Sequence, residues 1–466
     1  MSHNRWTAYG LLLASLLGLV PGAYGLPVEL KDQNGTRYKI NTDVDPLITN
    51  SFASGALTDA TYEKPVTVTS YYIGLTPFGF FFTTYTVQRQ IDVPLTNAFA
   101  GFNGLLITGI NGAALPAPVV YNPGESLASE DCFQNNQNRQ LNFQPQALAG
   151  LNLQVARKVF VAHNSDVVRW LNVVTNTGSV PNEVGITLQG LLGSANQTKV
   201  TATSTGDSTI TAGDLWFTTA QSVPQGQTSL EPRIGFAVQG VGATVPPRSL
   251  GINSLGQAIA TFTPTIQPGQ SVSIMTFVTV EGNNKQAKKA MENVVTLPSS
   301  AITCLSEQEL ASVVNFAPIT PPELKNATIT LNFKKTGADT VAWKGKITIA
   351  SGLSLEGLPV TVDVGGVPTT FVLKKNGTAN NGNGNKFSLN AKLSNGVTKA
   401  GNVKFSFNLK GDFQSVLAPY GLTNAAADDL PVTVPVTFAA GPGHYGADQP
   451  FTYNAKQDKS GTAKAP

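Results

Sequence analysis

The chain has 466 residues, a formal net charge of +3 and 13% charged residues, against about 25% in an ordinary soluble domain. Two cysteines and three histidines leave too little material for a Cys- or His-rich transition-metal site. No Gly-x-Ser-x-Gly, His-Glu-x-x-His or Walker-type sequence occurs.

The N-terminus reads as an export signal. Arg5 is followed by an apolar run from Ala8 to Val20, a Pro21-Gly22 break and the small residues Ala23 and Gly25, so mature protein is expected to begin near Leu26. The run is short for a membrane span, which needs about 20 apolar residues, and no transmembrane anchor is expected. Secretion to the extracellular space follows from this, with the periplasm as the alternative. Cys132 and Cys304, an even pair without metal-type spacing, are expected to form a disulfide.

From Val28 the chain alternates like a β protein. Val28 to Asp32 and Arg37 to Ile40 flank Asn34-Gly35, a two-residue hairpin signal. Strand-like segments rich in Val, Ile, Thr, Phe and Tyr follow, among them Val66 to Ile73, Phe80 to Ile91, Val167 to Asn176 and Ser271 to Val280. Two short helices are expected at the end of this region. Lys285 to Val295 places Ala287, Met291 and Val294 on one face, and Ser306 with Glu309 forms a capping box before Leu310.

Pro318, Pro321 and Pro322 then mark residues 317–324 as a linker. The charge changes sign across it: Leu26 to Leu324 carries 15 Lys plus Arg against 20 acids, and Lys325 to Pro466 carries 15 Lys, no Arg and 8 acids. The fold class expected is mainly β and multi-domain: a β region over 26–316, divisible into 26–150 and 151–316, and an Ig-like β-sandwich over 325–458 with short alternating strands such as Lys404 to Leu409. Residues 459–466 read as a flexible tail, and Asn376 to Asn385 as a mobile hairpin tip.

The run Arg169 to Asn176, with Gly190 to Ser194, Thr203 to Asp207, Asp214 to Phe217, Pro268 to Phe277 and Val313 to Phe316, resembles a β-sandwich module of large secreted bacterial surface proteins. The resemblance covers roughly Val155 onward and implies fold and export. It carries no active-site residue.

Chemistry is sparse. His163 and His444 are the histidines left after the signal, and His444 lies in a Gly-Pro-Gly-His-Tyr-Gly turn whose glycines suit a mobile loop rather than a catalytic position. Asp43 and Asp45, two apart on an extended segment, could face one way and offer oxygen ligands to Ca²⁺, the one cofactor to consider; turn formation before Pro46 is the simpler explanation. Glu130-Asp131, Asp207, Asp214 and Asp428-Asp429 are further carboxylates for an acid–base pair. Phe78, at the tip of Leu75 to Gly79 beside an aromatic-rich strand, is the residue placed to stack on a sugar ring. Lysine without arginine in the C-terminal region does not provide bidentate phosphate recognition, so no specific nucleic-acid contact is expected.

The leading expectation is a secreted, non-catalytic β-sandwich protein for surface attachment, extracellular matrix or ligand binding, with a cell-surface or extracellular polysaccharide or protein as partner. An extracellular polymer hydrolase with paired carboxylates and a purely structural scaffold are the alternatives. The intact mass of the exported protein should lack the first 25 residues; a mass that includes the Leu-rich run removes the export signal from this reading.

Overall fold

The computed structural model describes residues 28–466 apart from 33–34, 43–54, 76–81, 124–126, 129–131, 135–136, 164, 226–228, 318 and 442. The protein is mostly β. Three short helices, α1 (Asn284–Val294), α2 (Ser299–Ile302) and α3 (Glu307–Ser312), precede the C-terminal sheet, and a fourth, α4 (Gln414–Leu417), lies within that region.

Two antiparallel sheets build the N-terminal region. Eight strands run in the order Thr198–Thr203, Trp216–Gln221, Arg233–Ala237, Ser271–Glu281, Val167–Asn176, Leu153–Val161, Gln140–Leu148 and Leu127–Ala128. The facing sheet follows the order Ser249–Ile252, Gln257–Phe262, Asn182–Leu191, Gly104–Ile110 and Ala113–Val120, with Thr265–Ile266 paired beside it. Strands from both sides of residue 150 pair in each sheet and share one apolar core from Leu30 to Val280. The division at residue 150 therefore does not hold; these residues form one sandwich. A four-stranded sheet adds Val28–Lys31, Arg37–Ile40 and the long hairpin Leu57–Leu75 with Phe82–Leu95.

Strand Val167–Asn176 is covered on both faces. Val168, Trp170 and Val174 enter the sandwich core, while Val167 and Leu171 pack into a second apolar cluster with Met291, Val294, Ile302 and Leu310 from the three helices. Double coverage explains why this strand reads as a nearly continuous apolar run. The two helices expected from sequence are present. Ala287, Met291 and Val294 are the buried face of α1, and Ser306 with Glu309 closes the capping box of α3. Helix α2, without a periodic pattern of its own, was not anticipated.

The C-terminal strands follow one hydrogen-bonded path: Val367–Val372, Pro359–Val364, Ala427–Ala440, Gly443–Lys456, Ser460–Lys464, Glu323–Asn332, Asp339–Ile349, Gly401–Gly411, Lys386–Asn390 and Thr378–Asn380. This path folds over on itself into a near-barrel sandwich. Trp343 and Phe451 meet at 6.3 Å between ring centroids, Phe405 and Phe438 at 4.8 Å, and Phe371 and Phe387, near opposite ends of the path, at 5.7 Å. Alternation puts Phe405, Phe407 and Leu409 inward and Lys404, Asn408 and Lys410 outward.

Two expectations need correction here. Residues 459–466 are not a free tail: Ser460–Lys464 is an interior strand paired on both edges, with Ala463 fully buried. Its small residues are a packing requirement, since a Cβ on Gly461 would lie 2.1 Å from the Tyr453 hydroxyl. In the Asn/Gly segment 376–385, Asn376 accepts from the Thr378 backbone and Asn385, 6% exposed, accepts from Lys410 N at 2.6 Å. Nor is 317–324 a free tether. Ile319 and Thr320 pair in parallel with His444 and Tyr445, and Ala317 and Ile319 are buried. Limited proteolysis of the native, oxidised protein should therefore spare the bonds between Phe316 and Lys325; a first cut there would show that the pairing opens readily.

Candidate functional site

Helix α2 is the point where the N-terminal region meets the C-terminal sheet. It has four residues, all buried, and an isolated segment this short has no helical stability of its own. Its surroundings hold it. Asp363 Oδ1 accepts from Ser299 N at 3.2 Å and from the Ser299 hydroxyl. At the other end, Arg169 Nη1 donates to Ala301 O at 2.9 Å and Thr303 O at 2.7 Å, and Asp448 Oδ2 accepts from Cys304 N at 2.9 Å. Cys304 is bonded to Cys132, with Cα atoms 5.9 Å apart. Closing a 172-residue loop this way is worth about 5 kcal/mol in the chain-entropy model. Ile302 packs on Gly446, where a Cβ would lie 2.9 Å from its Cδ1.

Beside α2 lies a cavity of about 330 Å³. Its walls are mainly apolar: Val241, Leu297, Pro298, Ile319, Pro359 and Pro368. The C-terminal sheet contributes its outer face. Val360, Val362 and Val364 point into the sheet's own core, so Thr361 and Asp363 point the other way, and Asp363 pairs with Thr437 and Thr361 with Ala439 on the next strand. All four line the cavity. Asp363 is 3% exposed, and Gly366 N also donates to its Oδ1, at 3.1 Å. Its other oxygen, Oδ2, is buried without a hydrogen-bond partner. Burial raises the Asp363 pKa, and the bonds from Ser299 and Gly366 offset only part of that rise.

His444 also lines the cavity. It belongs to strand Gly443–Lys456, in register with Ile319 on one side and Ala439 on the other. The mobile turn expected around it is therefore a paired strand: ladder hydrogen bonds fix the backbone that its flanking glycines would otherwise free. Burial lowers the His444 pKa, which favours the neutral imidazole.

A second group of titratable side chains sits under the N-terminal hairpin. Asp32 is 6% exposed, Glu281 1% and Tyr38 fully buried. The Tyr38 hydroxyl donates to Asp32 Oδ2 at 3.1 Å, and Thr279 donates to Glu281 Oε1 at 3.0 Å. Burial first, and Asp166 second, push Asp32 up to about 7 and Glu281 up to about 8. At this depth neither carboxyl can meet a polymer chain from solvent.

Of the residues singled out from sequence, Asp43, Asp45, Phe78, Glu130 and Asp131 lie outside the described residues. Among the described residues no group of three His, Cys, Asp or Glu side chains could hold a metal ion. Asp207 and Asp214 organise one loop. Asp207 accepts from Thr203 and Thr209, and Asp214, fully buried, accepts from Ser204, Thr205 and Thr211. Burial raises the Asp214 pKa, but the bonds from Thr211 and Thr205 outweigh it and the net shift is downward. Asp429 engages Asn454 through its backbone and side chain. The structure thus engages these carboxylates with hydroxyl, amide and backbone donors of their own loops and neighbouring strand. Asp363 was missed in the sequence; its signal is an acid on the outward face of an otherwise Val/Thr strand, legible only once something is known to cover that face.

No family model matches the chain, and no curated protein does. Solved structures that align with parts of the chain include a polysaccharide lyase, at 10% identity and a TM-score of 0.27 over 85% of this chain and 46% of that one. Another is the Slr1438 protein from Synechocystis sp. PCC 6803, at 11% identity and 0.29 over 55% of this chain and 96% of that one. The chain spans less than half of the lyase's length. Likenesses at this level carry no argument about function.

The Asp32–Glu281 group gives the protein a pH-dependent stability. Both carboxyls stay protonated in the fold at pH values where the unfolded chain has ionised them. Their contribution is full below about pH 4 and is lost as pH rises through about 7 and 8. His163 and His444, with pKa values lowered chiefly by burial, act in the opposite sense, but only below about pH 6.5. The melting temperature should therefore fall between pH 6.5 and 8.5, and Glu281→Gln should flatten that fall and raise stability at pH 8.5. A melting temperature constant across this range in the wild-type protein would contradict the assignment.

Proposed function

We propose that the chain is an exported β-sandwich protein that binds, rather than transforms, a small and largely apolar ligand in the cavity beside α2. One observation carries this reading: a cavity of about 330 Å³ with mainly apolar walls and a few polar side chains, among them Thr361, Thr437 and His444, lies beside α2. Cavities of roughly 300 Å³ and upward, lined by apolar side chains with a few convergent polar groups, are the usual form of small-molecule sites. The wall chemistry favours an apolar molecule over a glycan. Binding in the cavity is a narrower reading than surface attachment or matrix assembly, and it fits the same extracellular setting.

Export is supported by the N-terminal apolar run in the sequence and by the Cys132–Cys304 bond, which suits an oxidising compartment. Among the described residues no helix is long and apolar enough to cross a membrane.

Titration of the mature, oxidised protein with the neutral fluorophore N-phenyl-1-naphthylamine tests the reading. Fluorescence should rise with saturable one-to-one stoichiometry. Ala439→Phe, which fills the cavity from its strand wall, should weaken binding at least tenfold while the melting temperature stays within a few degrees. Equal binding by the two proteins would place the probe elsewhere and remove the cavity's role.

A further inference from the structure

The C-terminal sheet has a second outer surface, away from the cavity. Parts of strands Pro359–Val364, Ala427–Ala440 and Gly443–Lys456 face the cavity and α2. The strands Lys386–Asn390, Gly401–Gly411, Asp339–Ile349, Glu323–Asn332 and Ser460–Lys464 lie side by side further along the path. Their inward positions are mainly apolar, and their outward positions carry Lys386, Lys404, Lys410, Lys344, Lys346 and Lys464. Glu323 is the acid that faces outward among them, 3.1 Å from Lys346. The other outward side chains are mostly Asn, Ser and Thr.

Register gathers these lysines into one array. Lys346 lies directly opposite Lys404, Lys344 opposite Ser406, and Lys386 opposite Asn408. Lys464 pairs with Thr328, which pairs in turn with Ala342, two residues from Lys344. Neighbouring strands are about 4.8 Å apart, and same-face residues about 6.7 Å apart along a strand, so most of these charges sit within about 10 Å of another. Lysine often guards a sheet edge against pairing. Here every strand that bears one of the six is paired on both sides. Like charges directly opposite each other destabilise a sheet, and Lys346 with Lys404 is such a pair. A face that sustains this repulsion in the free protein is complementary to negative charge.

The rest of the face narrows the partner. Its outward positions hold no arginine and no aromatic side chain. Bidentate phosphate recognition and base stacking are therefore both missing, which disfavours nucleic acid. An interfacial membrane contact buries apolar side chains beneath the headgroups, and this face offers none. Asn, Ser and Thr between the lysines suit hydroxyl groups, which both donate and accept. We propose that this face binds a polyuronate, an acidic polysaccharide with a carboxylate on successive sugars. The lysines pair with the carboxylates, and the amide and hydroxyl side chains bond the sugar hydroxyls. The site lies on different strand positions from the cavity and does not depend on a ligand there.

Isothermal titration of the mature, oxidised protein at low ionic strength tests it, with polygalacturonate and its fully methyl-esterified form as probes. One variant combines Lys344→Gln, Lys386→Gln and Lys404→Gln. A control combines Lys285→Gln, Lys288→Gln and Lys289→Gln, which removes the same charge from exposed positions of α1. All six positions are exposed, so neither variant should melt lower than the wild type. Polygalacturonate should bind the wild type, with an affinity that falls as salt is added. The methyl ester should bind at least tenfold more weakly. The sheet variant should lose at least tenfold in affinity for polygalacturonate, and the α1 control less than twofold. Equal loss in the two variants would assign binding to net charge alone and overturn the proposal. So would a methyl ester that binds as tightly as the acid, no binding by the wild type, or tighter binding to phosphatidylglycerol vesicles than to polygalacturonate.

Discussion

The structure turns on the guanidinium of Arg169. It leaves strand Val167–Asn176 on the face away from the sandwich core and ends among the carbonyls of Ala301 and Thr303, with Gln140 Oε1 as a third acceptor at 3.0 Å and the Phe160 ring 4.5 Å below it. A four-residue helix leaves its last carbonyls without intrahelical donors, and burying them unpaired would cost about as much as losing the bonds themselves. Arg169 supplies two donors in a fixed fork. Burial lowers its pKa to about 9, with Glu309 and Asp448 opposing that shift, so it stays charged at neutral pH. Leu297 and Cys304, on either side of α2, both adopt left-handed backbone, at φ 52° and 62°. Such residues cost about 1–2 kcal/mol each. They persist because the disulfide, the arginine and the two aspartates fix their neighbours.

From this anchor the rest of the junction follows. With α2 held against the eight-stranded sheet on one side, Asp363 and Asp448 reach it from two strands of the C-terminal sheet on the other. Lys158 and Glu309, 2.8 Å apart, tie α3 to the same strand surface. The outer face of strand Pro359–Val364 is thereby covered without being filled, and the uncovered remainder is the cavity. The cavity lies where the C-terminal sheet meets α2 and the Ile319–Thr320 strand.

Much of the fold was legible because it obeys period-two alternation or a capping rule. The hairpin at Gly35, the Lys404 to Leu409 strand and the Ser306–Glu309 cap each announce themselves within a few residues. The junction did not. Helix α2 is the tetrapeptide Ser-Ser-Ala-Ile, too short for a period, and its stabilising groups are 64 to 144 residues away in sequence. Ser460–Lys464 read as a tail because Ser, Gly, Thr, Ala and Lys look like a linker. Smallness there is imposed by Tyr453, a neighbour in space that the local pattern cannot reveal. Asp363 was invisible for a related reason: on a strand, an outward acid is normally solvated, and only the docked helix makes it a buried one.

The place of Ser460–Lys464 also bears on the order of assembly. This strand lies between Glu323–Asn332 and Gly443–Lys456, so the path through the C-terminal sheet is broken until residue 464 is available. The two strands that flank the gap are separated by more than a hundred residues, and neither can satisfy its inner edge with the other. Until that strand docks, the facing edges of its two neighbours stay open, so the two halves of the sheet close together in one late step.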